Sequence, residues 1–223
     1  MQKFATPAPI AAVIDFPAGR VQFIAADRAD ATVEVLPANA SKSRDVKAAE
    51  QTTVDYADGV LRIAAPDGRK QYFGPSGSVE ITVQLPAGSQ VGVTSSCAEF
   101  RGVGRFGEVA FEGAQGAIKI DEAAGLSVTT SGGDVTVGRL TGPADISTGK
   151  GDIRISEARR GAVVLRTQMG DISVGAAAGV SASLDAGTGY GRIRNTLRNA
   201  EGAAAGLNIE ATTGYGNVDA CSI

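Results

Sequence analysis

TSGGDVTV at 130–137, TGKGDIRI at 148–155 and TQMGDISV at 167–174 are copies of one phrase, followed by TGYGRIRN at 188–195 and a looser TGYGNVDA at 213–220. Between copies, a second phrase runs from a Gly through apolar residues back to Thr: GLSVTT from Gly125, GPADIST from Gly142, GAVVLRT from Gly161. The phrase glycines stand at 133, 151, 170, 191 and 216, a period that begins near 18 residues and then lengthens. Self-similarity of this kind marks stacked supersecondary units, none of which can bury its apolar face alone.

Inside the phrase, apolar residues fall at every second position: Val135 and Val137, Ile153 and Ile155, Ile172 and Val174. That is strand periodicity, with the intervening residues facing out. Two strands and two Gly-marked corners make one coil, and no segment has helical spacing long enough to cross over a sheet. The expected fold is all-β: a single-stranded β-solenoid, right-handed by the chirality of parallel crossovers, with about seven regular coils. The 30 glycines serve the corners, at about twice the ordinary share of about 7%. The corner residues Thr130, Thr148, Thr167, Thr188 and Thr213 are expected to stack as a ladder and bond turn amides.

Residues 1–88 carry the same strand chemistry with less regularity and are read as an irregular β part that caps the solenoid. Residues 89–223 hold the regular repeats of the same continuous domain. Short strands are expected at 13–16, 21–24 and 32–36, and a hairpin at 53–63 turning on Asp58 and Gly59. Val79, Ile81, Val83 and Leu85 line one face of a further strand. The polar segment 41–51 reads as one or two helical turns, with Ser41 or Ser43 as N-cap. The loop PDGRKQYFGPSG at 66–77 carries Arg69, Lys70, Tyr72 and Phe73; it either tucks in its own aromatics or grips a partner.

Composition excludes several function classes. With 21 basic and 24 acidic residues mixed along the chain, net charge is −3 and there is no basic footprint for nucleic acid. No stretch approaches the roughly 18 apolar residues of a membrane span. The start lacks the basic and apolar regions of a secretory signal, so a cytoplasmic location is expected. Cys97 and Cys221 fall in the first and last regular coils, roughly 29 Å apart at about 4.8 Å per step. A disulfide needs Cα atoms within about 7 Å, so two reduced thiols are expected.

Candidate sites follow from what the stacking repeats. Asp134, Asp152 and Asp171 share one outward position, and carboxylates about 4.8 Å apart repel unless compensated. Compensation comes either from a divalent cation, for which the oxygen ligands suit calcium, or from Arg154, Arg192 and Arg194; the structural ladder is the preferred reading. The same row would supply the carboxylates of a carbohydrate-active β-helix enzyme. However, the absence of histidine removes Ser-His-Asp and Cys-His systems, and no cofactor is implied. GVGRFG at 102–107 matches a dinucleotide-binding pattern but is followed by a strand instead of a helix, and GPADISTGKG at 142–151 is a turn instead of a phosphate loop. Tyr190 and Tyr215 share one corner position, where they stack on each other or on a sugar or protein partner.

The GDV, GDI and GDI phrases with their preceding Thr resemble a widespread bacterial family known as putative-adhesin or β-strand-repeat domains of unknown function. The opening, TPAPIAAVIDFPAGRVQFIAADRADATVEV, is similar to its actinobacterial, leaderless members, so the resemblance covers nearly the whole chain. It implies the solenoid architecture and a surface role, and it brings no catalytic residues. The expected function is a non-enzymatic structural or interaction scaffold, self-associating through an uncapped C-terminal coil at 206–223. An adhesin-type module that binds a ligand or partner, a glycan included, is the alternative, and a carbohydrate-active enzyme the second.

Overall fold

A computed structural model describes residues 1–65 and 77–223, in two compact units, Met1–Gly116 and Ala117–Ile223. Arg69, Lys70, Tyr72 and Phe73 lie outside the described residues.

The first unit contains β1 (Gln2–Ala5), β2 (Ala11–Ala26), β3 (Asp30–Pro37), α1 (Ser43–Gln51), β4 (Thr53–Ala57), β5 (Val60–Ala64), β6 (Val79–Pro86) and β7 (Gln90–Gln115). Strand β2 organises it. It runs parallel to β7 from Ala11↔Gln90 to Ala25↔Gly104, and parallel to β5 and then β6. The two short strands expected at 13–16 and 21–24 are thus one. Pro17 cannot donate to a ladder, but the register passes from Phe16↔Ser95 to Ala18↔Cys97 and resumes. Inward alternation buries Ile14, Phe16, Val21 and Phe23 of β2 with Val79, Ile81, Val83 and Leu85 of β6. Phe100 sits between Phe23 and Phe111, with ring centroids 5.9 Å from each. Such pairs add about 0.5–1.5 kcal/mol beyond the area they bury.

Strands β4 and β5 form the expected antiparallel hairpin, and Asp58 and Gly59 both take positive φ, as a tight primed turn requires. Helix α1 starts differently from expectation. Its N-cap is Lys42, with no side-chain cap bond. Ser41 is occupied elsewhere, its amide donating to Asn39 Oδ1 (2.9 Å), and the first-turn Asp45 accepts from the Ser78 amide (3.0 Å), tying the helix to the start of β6.

The second unit is built from two rows of parallel strands. Strand β8 (Ile118–Gly132) belongs to both: its first half pairs with β9 (Val135–Leu140) and its second with β10 (Ala144–Lys150). Beyond them come β11 (Ile153–Ala158), β12 (Gly161–Met169), β13 (Ile172–Ala176), β14 (Ala182–Tyr190), β15 (Ile193–Thr196), β16 (Leu207–Tyr215) and β17 (Val218–Ser222). One row reads β8-β10-β12-β16-β14; the other reads β8-β9-β11-β13-β17-β15.

Chain order and stacking order therefore part company. After β13 the chain skips one rung, lays down β14 and β15, and returns through residues 197–206 to fill the gap with β16 and β17. The coil expected to be an uncapped end lies inside the stack, paired on both sides. The rung left at the edge is β14–β15, each strand of which, among the described residues, pairs on one side only.

The glycine row records the same order. A Cβ on Gly151 would overlap the Gly133 carbonyl oxygen, one on Gly170 that of Gly151, one on Gly216 that of Gly170, and one on Gly191 that of Gly216. Backbones approach too closely there for any side chain, which is why the phrase keeps a Gly at that corner. Between the rows, Val135, Val137, Ile153, Ile155, Ile172, Val174, Val163, Leu165 and Val218 are buried. Each contributes about 1.5–3 kcal/mol relative to exposure.

Candidate interaction site at the terminal rung

The corner of each coil is held by the Thr and Asp of the repeated phrase. The corner threonines Thr130, Thr148, Thr167 and Thr213 are buried. They mainly donate to turn carbonyls instead of accepting from turn amides: Thr167 Oγ1 to Gly151 (3.1 Å), Thr213 Oγ1 to Gly170 (2.9 Å) and Thr188 Oγ1 to Gly216 (2.9 Å). Each hydroxyl thereby joins its own coil to the next one in the stack.

The Asp row works in the complementary sense. Asp134 Oδ1 accepts from the Asp152 amide (2.9 Å), Asp152 Oδ1 from the Asp171 amide (2.8 Å), and Asp171 Oδ1 from the Asn217 amide (2.7 Å). Asn217 continues the relay, its Oδ1 accepting from the Arg192 amide (3.0 Å). Each carboxylate of the row thus accepts from a backbone N–H, and among the described residues Arg154, Arg192 and Arg194 form no ion pair with it. An ionised acceptor makes these bonds stronger than neutral ones. Among the described residues no group of three or more metal-ligating side chains stands together.

Elsewhere on the outer surface, charges pair between coils. Arg139 bridges Glu122 and Glu157, both at 3.2 Å, and Arg166 bridges Asp145 and Glu210, both at 3.3 Å. The hydrogen bond from Arg159, with that from Arg139, holds the Glu157 carboxyl below its ordinary range. A shallow, open depression lined by Ala162, Val164, Ser183, Asp185, Asn208 and Glu210 lies across β12, β16 and β14.

The terminal rung breaks these patterns. Tyr190 and Tyr215 stack with centroids 5.1 Å apart and planes 4° from parallel. They are 71% and 58% exposed, and Met169, beside Tyr215 in register, is 52% exposed, making an apolar ridge at the corner. Ile193, in register with the buried Val218, is 47% exposed, and Leu184, in register with the buried Ile209, is half-buried. The core column Ile120, Val137, Ile155, Val174, Ala220 ends in Asn195, whose Oδ1 accepts from the Leu197 amide (3.0 Å). Outside, Arg194 reaches Asp219 at only 3.8 Å, and Asp185 sits beside Glu210 with no ion pair among the described residues.

A family model described as Toastrack DUF4097 matches residues 12–221, nearly the whole chain. The chain belongs to this family. The Toastrack architecture is shared with a Bacteroides fragilis protein described as a putative adhesin, at 15% identity over 98% of this chain and 95% of that one, with a TM-score of 0.56. A Parabacteroides merdae putative adhesin is 12% identical (98% and 94% covered, TM-score 0.47), and a Parabacteroides distasonis putative lipid binding protein 14% identical (97% and 95%, TM-score 0.45). At these identities the first likeness concerns the fold alone, and the other two carry no argument. No curated protein matches the Toastrack chain.

Of the residues singled out in the sequence, Asp134, Asp152 and Asp171 form one continuous row, and Tyr190 and Tyr215 form one stack. Cys97 and Cys221 are free thiols, the first exposed and the second half-buried. Among the described residues no helix is long and apolar enough to cross a membrane. Sequence reasoning missed Leu184 and Ile193, because their exposure depends on which rung is outermost, and it missed Met169 and Asp185, whose corner and outer-face positions are exposed on inner rungs as well.

Proposed function

We propose that the chain is a non-enzymatic interaction module whose working surface is the corner at the terminal rung of its second unit. The observation that carries this reading is the stacked pair Tyr190 and Tyr215, left exposed beside Met169. A protein has little reason to hold three large apolar side chains in water along one ridge unless a partner covers them. The Asp row supports the same reading from the other side, since its Oδ1 atoms are engaged by backbone amides and serve the stack. The putative-adhesin description of the Bacteroides fragilis protein that shares this fold agrees with a binding role.

The test compares the native chain with a Tyr190→Ala, Tyr215→Ala variant on panels of immobilised glycans and surface proteins. Binding that the double variant loses while its melting temperature holds supports the corner. A polysaccharide-cleaving activity that falls in an Asp134→Asn, Asp152→Asn, Asp171→Asn variant would overturn the non-enzymatic reading.

A further inference from the structure

The terminal rung specifies its own partner. We infer that β14–β15 pairs edge to edge with the same rung of a second copy of this chain, related by a two-fold axis, so that each β14 lies antiparallel to the partner copy's β15. The inference rests on the reading above, that the terminal corner is a binding surface, and names what occupies the rung beside it.

Four features converge on this arrangement. Among the described residues, strands β14 and β15 each have one unpaired edge, which is a template for another strand. A tail-to-tail two-fold can oppose either like strands or unlike ones. Opposing like strands brings Asp185 toward Asp185 and Arg194 toward Arg194, which repel. Opposing unlike strands puts Asp185 of one copy on the same outer face as Arg194 of the other, at diagonal sites that an arginine spans. Both groups are available: Asp185 has no ion pair among the described residues, and Arg194 holds Asp219 only at 3.8 Å.

The aromatic row selects the same geometry. With unlike strands opposed, the two corners lie on the same side of the axis, so Tyr190 of each copy meets the other. The Tyr215–Tyr190 stack, whose planes are 4° from parallel, then extends through the junction over the ring face that Tyr215 leaves open. With like strands opposed, the corners fall at opposite ends and the row stops. Behind the strands, Leu184 and Ile193, which have no rung above them among the described residues, close the core of one copy against that of the other.

The experiment is light scattering behind size exclusion on the full chain across a concentration series, with Asp185→Arg, Arg194→Asp and the combined swap. The expected result is a mass that rises toward twice that of the monomer. Each single reversal is expected to weaken association about tenfold or more, and the combined swap to restore it. A Tyr190→Cys variant in a Cys97→Ser, Cys221→Ser background is expected to form a disulfide-linked dimer on oxidation. Constant monomer mass, association indifferent to the single reversals, or a swap that fails to rescue would each overturn the inference. None of these would by itself remove the Tyr-dependent binding on the panels, so the two readings fail separately.

Discussion

The rungs β10–β11 and β14–β15 are written in nearly the same phrase, TGKGDIRI and TGYGRIRN, yet one is core and the other is surface. Ile153 and Ile155 are buried, whereas Ile193 is 47% exposed, at the same point of the coil. The phrase sets local geometry: a Thr that donates to a carbonyl, a Gly where backbones nearly touch, and a short strand after the corner. Position in the stack sets burial. A repeat can therefore be read for its shape from one copy, but for its energetic weight only from its neighbours.

The sharpest way to break this comparison is to remove the rung that joins its two halves. Deleting residues 207–223 takes away the described pairing partners of β14 and β15. Hydrogen exchange is expected to show residues 182–196 losing protection entirely while 118–176 keep theirs. Retained protection at 182–196 would refute the inserted-rung order. Next in size is a truncation pair. At concentrations where the chain is monomeric, Ile155→Ala is expected to cost about 3 kcal/mol in urea unfolding, as for other buried large-to-small changes, and Ile193→Ala less than about 1 kcal/mol. Equal costs would mean that the terminal rung is covered.

A smaller effect separates the Asp row from a cation site. Asp152→Ala removes the acceptor of the Asp171 amide and is expected to cost about 1 kcal/mol. Asp152→Asn should cost less, because Asn217 already fills the equivalent place one rung beyond Asp171. Millimolar calcium is expected to leave the melting temperature of the native chain unchanged; a calcium-dependent rise that the Asn variant loses would favour the cation reading. Smallest is a pH effect in the first unit. Hydrogen bonds from Arg28 and then Lys3 lower the Asp30 carboxyl to about 2. A depressed carboxylate stabilises the fold above its unfolded value of about 4, and this contribution fades as pH falls toward about 2. Acid unfolding of Asp30→Asn should show a shallower slope in that window.

Much of the architecture was legible in the sequence because strand periodicity and glycine corners are local properties. Alternation in Val79–Leu85 and in the GDI phrases placed inward residues correctly, and Asp58–Gly59 announced its turn. Stack order was not legible, because TGYGRIRN and TGYGNVDA fit the same corner and either can follow TQMGDISV. The discriminating signal lay in two positions. An inner rung must pass on the Asp-row hydrogen bond and bury its second strand residue, which Asn217 and Ala220 do. Arg192 and Asn195 fit only where the relay stops and the core column of the chain reaches its last rung. The N-cap of α1 escaped for a different reason: Ser41 and Ser43 have the right chemistry, but the backbone places Lys42 at the cap.

The inserted rung also bears on how the second unit assembles in time. A solenoid whose coils follow chain order can zip from one end, each coil docking on the one made before it. Here β14 and β15 precede in the chain the strands they pair with, so their native pairing is complete only once residues 207–222 lie between them and β12–β13. Pairings such as Val163↔Ile209 and Ile172↔Val218 span more of the chain than those between successive coils, and contacts of that separation slow folding. During that interval the apolar faces of both flanking rungs are open, which makes closure of this slot the step at which a crowded cell would most easily misdirect the chain.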